Sequence, residues 1–197
     1  MPLWERAVWV AIEAGIKNIA VTTDTPERLD YLRQKPPADV VLHRVHRPAE
    51  LAQDDTPMQP VVAHTLELIT GPPGEIILLL QPTQPLRQSR HIEAALQLLE
   101  HYYAEGCIIS VTQTESVDRV CFLDGWKYLK EDGPIIERRQ EARPTFKRDG
   151  TVYAWRRRDG LYHRPWIVLN IPPEETCPLD TELDWKIAEW RVNDVKS

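Results

Sequence analysis

The stretch Glu75 to Arg87 reads EIILLLQPTQPLR, five unbroken aliphatics running into a polar corner that holds Pro82 and Pro85. A strand without polar alternation has to be covered on both faces, the condition met in parallel sheets flanked by helices. The same condition recurs along the N-terminal part of the chain. KNIAVTTDT, ADVVLHRV, EIILLLQ and CIISVTQ read as strands. Between them PLWERAVWVAIEAG, PERLDYLRQ, MQPVVAHTLELIT and QSRHIEAALQLLEHYYAEG carry apolar residues at helical spacing. Gly15 and Gly106 stand where C-terminal caps belong, and Pro26 where a helix opens. The alternation predicts an α/β protein, a three-layer α/β/α domain over residues 1–197 with a mostly parallel, Rossmann-like sheet. EIILLLQ is the most hydrophobic strand and is expected at its centre.

After Thr114 the texture changes. Asp-Gly pairs at Asp124, Asp132, Asp149 and Asp159 separate short β-prone runs, which predicts hairpins or a protruding arm over about residues 115–150. The C-terminal DTELDWKIAEWRVN returns to helix, with Asp180 as N-cap and Leu183, Ile187 and Trp190 along one face.

Composition narrows the function. A net charge of −6 argues against a nucleic-acid partner. No apolar run is long enough to span a membrane, and Glu5, Arg6 and Glu13 interrupt the N-terminal apolar residues, so a cytoplasmic protein is expected. Cys107, Cys121 and Cys177 have no metal-type spacing and read as reduced thiols. His43 and His46 lie on an extended segment facing opposite sides, without a carboxylate to complete a triad. Trp4, Trp9, Trp185 and Trp190 fall on helices and read as core or interface.

In an open parallel sheet, ligands bind beyond the carboxyl ends of the strands. The exit of EIILLLQ therefore points to a site in which two prolines present Gln81 and Thr83 with little conformational freedom to lose. Prolines that merely end a strand are the plainer reading of the same residues.

LLQPTQPLR resembles the LLQPTSPLR segment of the acylneuraminate cytidylyltransferase family. RPAELAQDDTP at 47–57, ISVTQ at 109–113, RRQ with PTFKRDGTVYAW within 138–155, and LDTELDWKIAE at 179–189 match that family in order and spacing. The resemblance implies a nucleotidyltransferase-like fold, a homodimer formed through an arm, and transfer of CMP from CTP to a nonulosonic, sialic-like acid with Mg²⁺ and release of pyrophosphate. It also implies roles. Arg47 and the turn from Ala52 to Asp54 correspond to the nucleotide-binding loop, and Gln81 with Thr83 to the sugar side. Arg139 and Gln140 correspond to a pair near the sugar acid, where a guanidinium binds a carboxylate through parallel hydrogen bonds. Asp149 falls in the sugar-binding segment, and Asp180 corresponds to a metal-binding carboxylate; Asp180 and Arg139 are the catalytic candidates. From composition alone, Arg138 and Arg139 read as a solvated charge cluster.

Three departures qualify the resemblance. Family members carry a loop of the form IPARxGSKxxxxKN that cradles the CTP phosphates, ahead of a segment like KPLLEWTIEAA, whereas this sequence starts at MPLWERAVWVAIEAG. This polypeptide is therefore expected to bind CTP poorly and to leave a sheet centre uncovered. Pro178 replaces the first carboxylate of the family's Asp-x-Asp, and Asp149 replaces an asparagine. The alternative expectation is a catalytically degenerate homologue that binds a sugar acid or a protein.

Overall fold

The computed structural model describes residues 1–31, 35–101, 106–114, 122–124, 128–130 and 144–194. Helix α1 spans Leu3–Glu13, followed by strand β1 (Asn18–Thr23), a 3-10 helix over Pro26–Tyr31 and strand β2 (Val41–His46). Helix α2 (Met58–Leu68), strand β3 (Ile76–Leu79), helix α3 (Ser89–His101) and strand β4 (Cys107–Thr114) come next. Strands β5 (Phe122–Asp124) and β6 (Tyr128–Lys130), β7 (Thr145–Arg156), β8 (Trp166–Asn170) and helix α4 (Glu182–Asp194) complete the chain. The α/β class expected from the sequence is borne out, although PERLDYLRQ forms a 3-10 helix over its described part. Gly15 ends α1 as anticipated. It sits at φ +81°, its N–H bonds the Ile12 carbonyl and that of Ile16 bonds Ala11, a Schellman closure that a residue with a Cβ resists.

β1 and β2 pair in parallel as one two-stranded sheet, and a four-stranded sheet has the order β3-β7-β4-β8. β7 runs antiparallel to both β3 and β4, and β8 runs parallel to β4, so three of the four strands share a direction and β7 opposes them. β5 and β6 pair antiparallel as a separate two-stranded sheet.

Alternate residues of β4 and β7 supply two cores, as the two-residue period of a strand requires. Ile108, Val152 and Ala154 face Val8 and Ala11 of α1 and Ile92, Ala95 and Leu99 of α3. Cys107, Ile109, Val111, Tyr153 and Trp155 face Leu161, with Met58 and Val62 of α2 packed against them. The layers are therefore α1 and α3, the sheet, and α2. Each fully buried Ile or Leu, such as Ile92 or Leu99, contributes about 1.5–3 kcal/mol relative to exposure.

Three expectations are corrected. β3, the most hydrophobic strand, is an edge strand of its sheet, and its four residues are only half-buried. Asp149-Gly150 makes no hairpin turn but a bulge inside β7, where the register against β4 shifts between Ile109 and Val111. A buried carboxylate network, described below, holds the chain in line there. On α4, Leu183 and Trp190 are exposed, and Ala188 is the residue that packs inward. No helix among the described residues is long and apolar enough to cross a membrane.

Candidate functional site

The corner after β3 is clamped from several sides. Arg87 is buried at 2% exposure and donates from Nε to the Thr151 carbonyl at 2.6 Å and from Nη2 to the Gln81 carbonyl at 2.6 Å. A longer Nη2 bond of 3.4 Å reaches the Gly150 carbonyl. Burial lowers its pKa to about 10, so the guanidinium stays charged at neutral pH and its bonds are charge-assisted. Gln84 is buried too. It donates to the Asp149 carbonyl and accepts from Thr176 Oγ1 at 3.2 Å. The Arg6 Nε donates to the Pro85 carbonyl, and the Leu179 N–H donates to the Thr83 carbonyl at 3.0 Å. One short loop is thus joined to α1, to β7 and to the segment before α4. Three of its carbonyls, those of Gln81, Thr83 and Pro85, are occupied, on a backbone whose φ is fixed at two prolines.

Asp149 explains the bulge beneath this loop. Its Oδ1 accepts from Ser110 Oγ at 2.5 Å and from the Thr151 N–H at 3.1 Å, and its Oδ2 accepts from Thr151 Oγ1 at 2.7 Å. Ser110 Oγ in turn accepts the Val152 N–H at 2.9 Å. Where the ladder is interrupted, side chains thereby satisfy backbone groups that would otherwise be orphaned. Both carboxylate oxygens of Asp149 are engaged in the fold.

Arg47 and Gln81 come together. Both line a groove of about 620 Å³ between β1 and β3, which also admits His43, Thr22 and Pro82. Arg47 follows β2, its N–H bonds the Thr23 carbonyl, and Nη2 lies 3.6 Å from Asp24 Oδ1, while its buried Nε has no partner. A partly free guanidinium at the carboxyl end of parallel strands is suited to an anion. Ala52 and Asp54 lie on the next turn, Ala52 half-buried and Asp54 exposed. Thr83 is exposed at the corner.

Asp180 is exposed, and the Leu179–Thr83 bond brings its segment beside the corner. It is not the N-cap of α4. Thr181 caps the helix: its Oγ1 accepts the Asp184 N–H at 3.2 Å, and Asp184 Oδ2 accepts the Thr181 N–H at 2.7 Å, a reciprocal capping box. The hydrogen bonds from Thr181 hold the Asp184 carboxyl below the usual carboxylate range. No group of three His, Cys, Asp or Glu side chains that could hold a metal gathers among the described residues. Arg139, Gln140 and Cys121 lie outside the described residues.

Sequence reading missed Gln84, Arg87, Ser110 and Thr151. The available signal was local: polar residues locked between prolines, and hydroxyls in a strand otherwise apolar, have to find partners inside the fold.

The layers and strand directions define a layered α/β domain in which three of the four strands of the larger sheet share a direction. The structure matches a 4-diphosphocytidyl-2C-methyl-D-erythritol synthase from Anaerococcus prevotii with a TM-score of 0.59 and 14% identity, over 97% of this chain and 86% of that one. It matches a CMP:2-keto-3-deoxy-manno-octonic acid synthetase complexed with CTP with a TM-score of 0.60 and 16% identity, over 98% of this chain and 86% of that one. No family model matches the chain. In sequence it is 31% identical, over 120 residues, to the N-acylneuraminate cytidylyltransferase of Escherichia coli. That match takes in 60% of this chain and 27% of the length of that relative. The resemblance expected from LLQPTQPLR is thereby matched in sequence by that relative, and the α/β fold is shared with the two solved structures.

Proposed function

We propose that this domain works in the transfer of CMP from CTP to a nonulosonic, sialic-like acid, with release of pyrophosphate. The observation that carries the reading is the 120-residue match to N-acylneuraminate cytidylyltransferase. Attack of a sugar hydroxyl on the α-phosphorus calls mainly for positioning and charge neutralisation. Arg47 supplies a cation for the nucleotide, with the Ala52 to Asp54 turn beside it. Gln81 and Thr83, on the clamped corner, address the sugar with little motion to lose, and Arg139 with Gln140 hold the sugar carboxylate. Asp149 serves this site by fixing the floor of the corner.

Magnesium neutralises developing charge on the phosphates when bound. Asp180 would be the carboxylate that holds an ion arriving on the triphosphate. The arm that includes β5 and β6 would join two copies in a homodimer, working in the cytoplasm.

Incubation with CTP, Mg²⁺ and N-acetylneuraminate tests the reading, with pyrophosphate release as readout. Release that requires both substrates is the expected result. The second reading is a non-catalytic sugar-acid or protein-binding module; Pro178 in place of the first carboxylate of the family's Asp-x-Asp favours it. Binding of the sugar acid without pyrophosphate release would select the second reading, and absence of both would remove the sugar acid from either.

A further inference from the structure

Between β8 and α4 the chain forms a strap that crosses the corner after β3. At its start the Ile171 N–H donates to the Val111 carbonyl of β4 at 2.8 Å. Thr176 then donates to the buried Gln84, and the Leu179 N–H donates to the Thr83 carbonyl. From α4, Arg191 Nη1 reaches the Thr176 carbonyl at 2.9 Å and the Pro173 carbonyl at 3.3 Å. Asp180 follows Leu179 directly, so the lie of the strap sets how its segment faces Gln81 and Thr83.

One further tie comes from α3 and is made by a buried side chain. His91 is the third residue of that helix and is 4% exposed. Its N–H donates to the Gln88 carbonyl at 3.1 Å, and the Gln88 N–H donates to His91 Nδ1 at 3.3 Å. Gln88 is thus the N-cap, and the imidazole takes the part that a glutamate or glutamine plays at the third position of a capping box. The other ring nitrogen, Nε2, lies 2.8 Å from Glu175 Oε2 in the strap. A neutral imidazole has one donor and one acceptor. Because Nδ1 accepts, the proton sits on Nε2 and is donated to Glu175. A glutamate in this place would cap α3 equally well but would set two carboxylates against each other. Arg90 Nη2 also meets Glu175 Oε2 at 2.8 Å; its side chain is 58% exposed, so solvent screens that pair and the buried imidazole is the firmer tie.

We infer that His91 is a positioning residue: through Glu175 it sets the strap, and with it Asp180, against the corner that carries Gln81 and Thr83. The task of Asp180 there rests on the cytidylyl transfer proposed above; the placing of the strap does not. His91 acts only through Glu175, and a misplacement of about 1 Å passed on in this way is enough to slow a reaction roughly a hundredfold.

The test compares His91→Gln with His91→Glu in the full chain, two side chains of one shape that differ in a single atom. Both keep the cap, and only glutamine offers Glu175 a donor. Hydrogen exchange is expected to show the Leu179 amide as protected in His91→Gln as in the unsubstituted protein, and at least about tenfold less protected in His91→Glu, with the amides of α3 alike in both. Glu175→Ala removes the acceptor from the strap side and leaves α3 whole, so it should open Leu179 to the same extent whether or not α3 accepts a buried glutamate. Nitrogen-15 spectra of the unsubstituted imidazole should show a proton on Nε2 and none on Nδ1. With CTP and N-acetylneuraminate, His91→Glu should need at least about fivefold more Mg²⁺ for half-maximal pyrophosphate release, while KM for the sugar acid stays within about twofold, because Arg87 holds Gln81 from the other side. Loss of folded protein alone would lower the rate without moving the Mg²⁺ requirement. Equal exchange in the two His91 variants, a Leu179 amide that stays protected in Glu175→Ala, a proton on Nδ1, or an unmoved Mg²⁺ requirement would each overturn the inference. If the unsubstituted protein releases no pyrophosphate, cytidylyl transfer falls, and the exchange at Leu179 by itself decides whether His91 places the strap.

Discussion

A Cβ built on Gly150 would stand 2.5 Å from Oε1 of Gln81. The side chain expected to face the sugar is packed directly on the bulge of β7, and the bulge needs a glycine both for that approach and for its φ of +77°. Gly150→Ala is therefore expected to cost about 1–3 kcal/mol, partly from the left-handed backbone and partly from displacing Gln81. Thermal unfolding reads it as a fall of about 2–4 °C per kcal/mol. An unchanged midpoint would mean that the corner adjusts freely.

Arg87 fills its place by donating to the Thr151 and Gln81 carbonyls. Arg87→Met keeps most of the volume but leaves the Thr151 and Gln81 carbonyls without these donors, and a loss of about 2–5 kcal/mol is expected in denaturant unfolding. Arg87→Lys should recover less than half, since one ammonium cannot reproduce a planar fork of donors. Full rescue by lysine would show that charge alone matters.

Burial, followed by the neighbouring Tyr162, pushes the Tyr153 hydroxyl up to about 12. One of the six tyrosines should thus ionise near pH 12 in an ultraviolet titration of the folded protein. Unfolded tyrosine ionises near pH 10. Between about pH 10 and 12 the unfolded state holds fewer protons, so Tyr153 stabilises the fold fully below pH 10 and that stability is lost as pH rises through 12. Arg87, lowered to about 10, works in the opposite sense above that pH, which is why absorbance is the readout. Six tyrosines titrating together near pH 10 would contradict the buried hydroxyl.

Arg47→Ala removes the cation at the groove mouth. Its ion pair with Asp24 is long and half of the aspartate is exposed, so unfolding free energy should change by no more than about 1 kcal/mol. Calorimetry with CTP and Mg²⁺ is expected to show at least a tenfold weaker association. Unchanged affinity would take Arg47 out of the nucleotide site.

Two neighbouring carbon-chain truncations separate capping from ligand binding at the start of α4. Thr181→Ala should cost about 1 kcal/mol by removing the cap, while Asp180→Ala should leave unfolding unchanged and weaken only the metal dependence of activity. The reverse pattern would restore Asp180 as the cap.

The elements were legible where the signal is periodic. Leu3–Glu13, Met58–Leu68 and Ser89–His101 fall on the predicted helices, and Gly15 closes the first as its position suggested. Of the candidate site residues, Arg47 and Gln81 line one groove although more than thirty residues separate them. Asp149 was assigned to the sugar because a segment resemblance says where a residue falls in the chain, not which hydroxyls surround it. Asp180 was taken for a cap because Thr181 beside it offers the same chemistry, and one residue of helix offset decides between them.

From the sequence alone came the α/β class, the order of strands and helices and the rigid corner at Gln81, since period, proline and glycine act over a few neighbouring residues. Only the tertiary structure decided that β3 is an edge of its sheet, that β7 runs through Asp149-Gly150 without turning, and that Ser110 and Thr151 engage the Asp149 carboxylate. Those features depend on which backbone edges meet and which buried donors find acceptors, relations between residues far apart in the chain that local pattern does not encode.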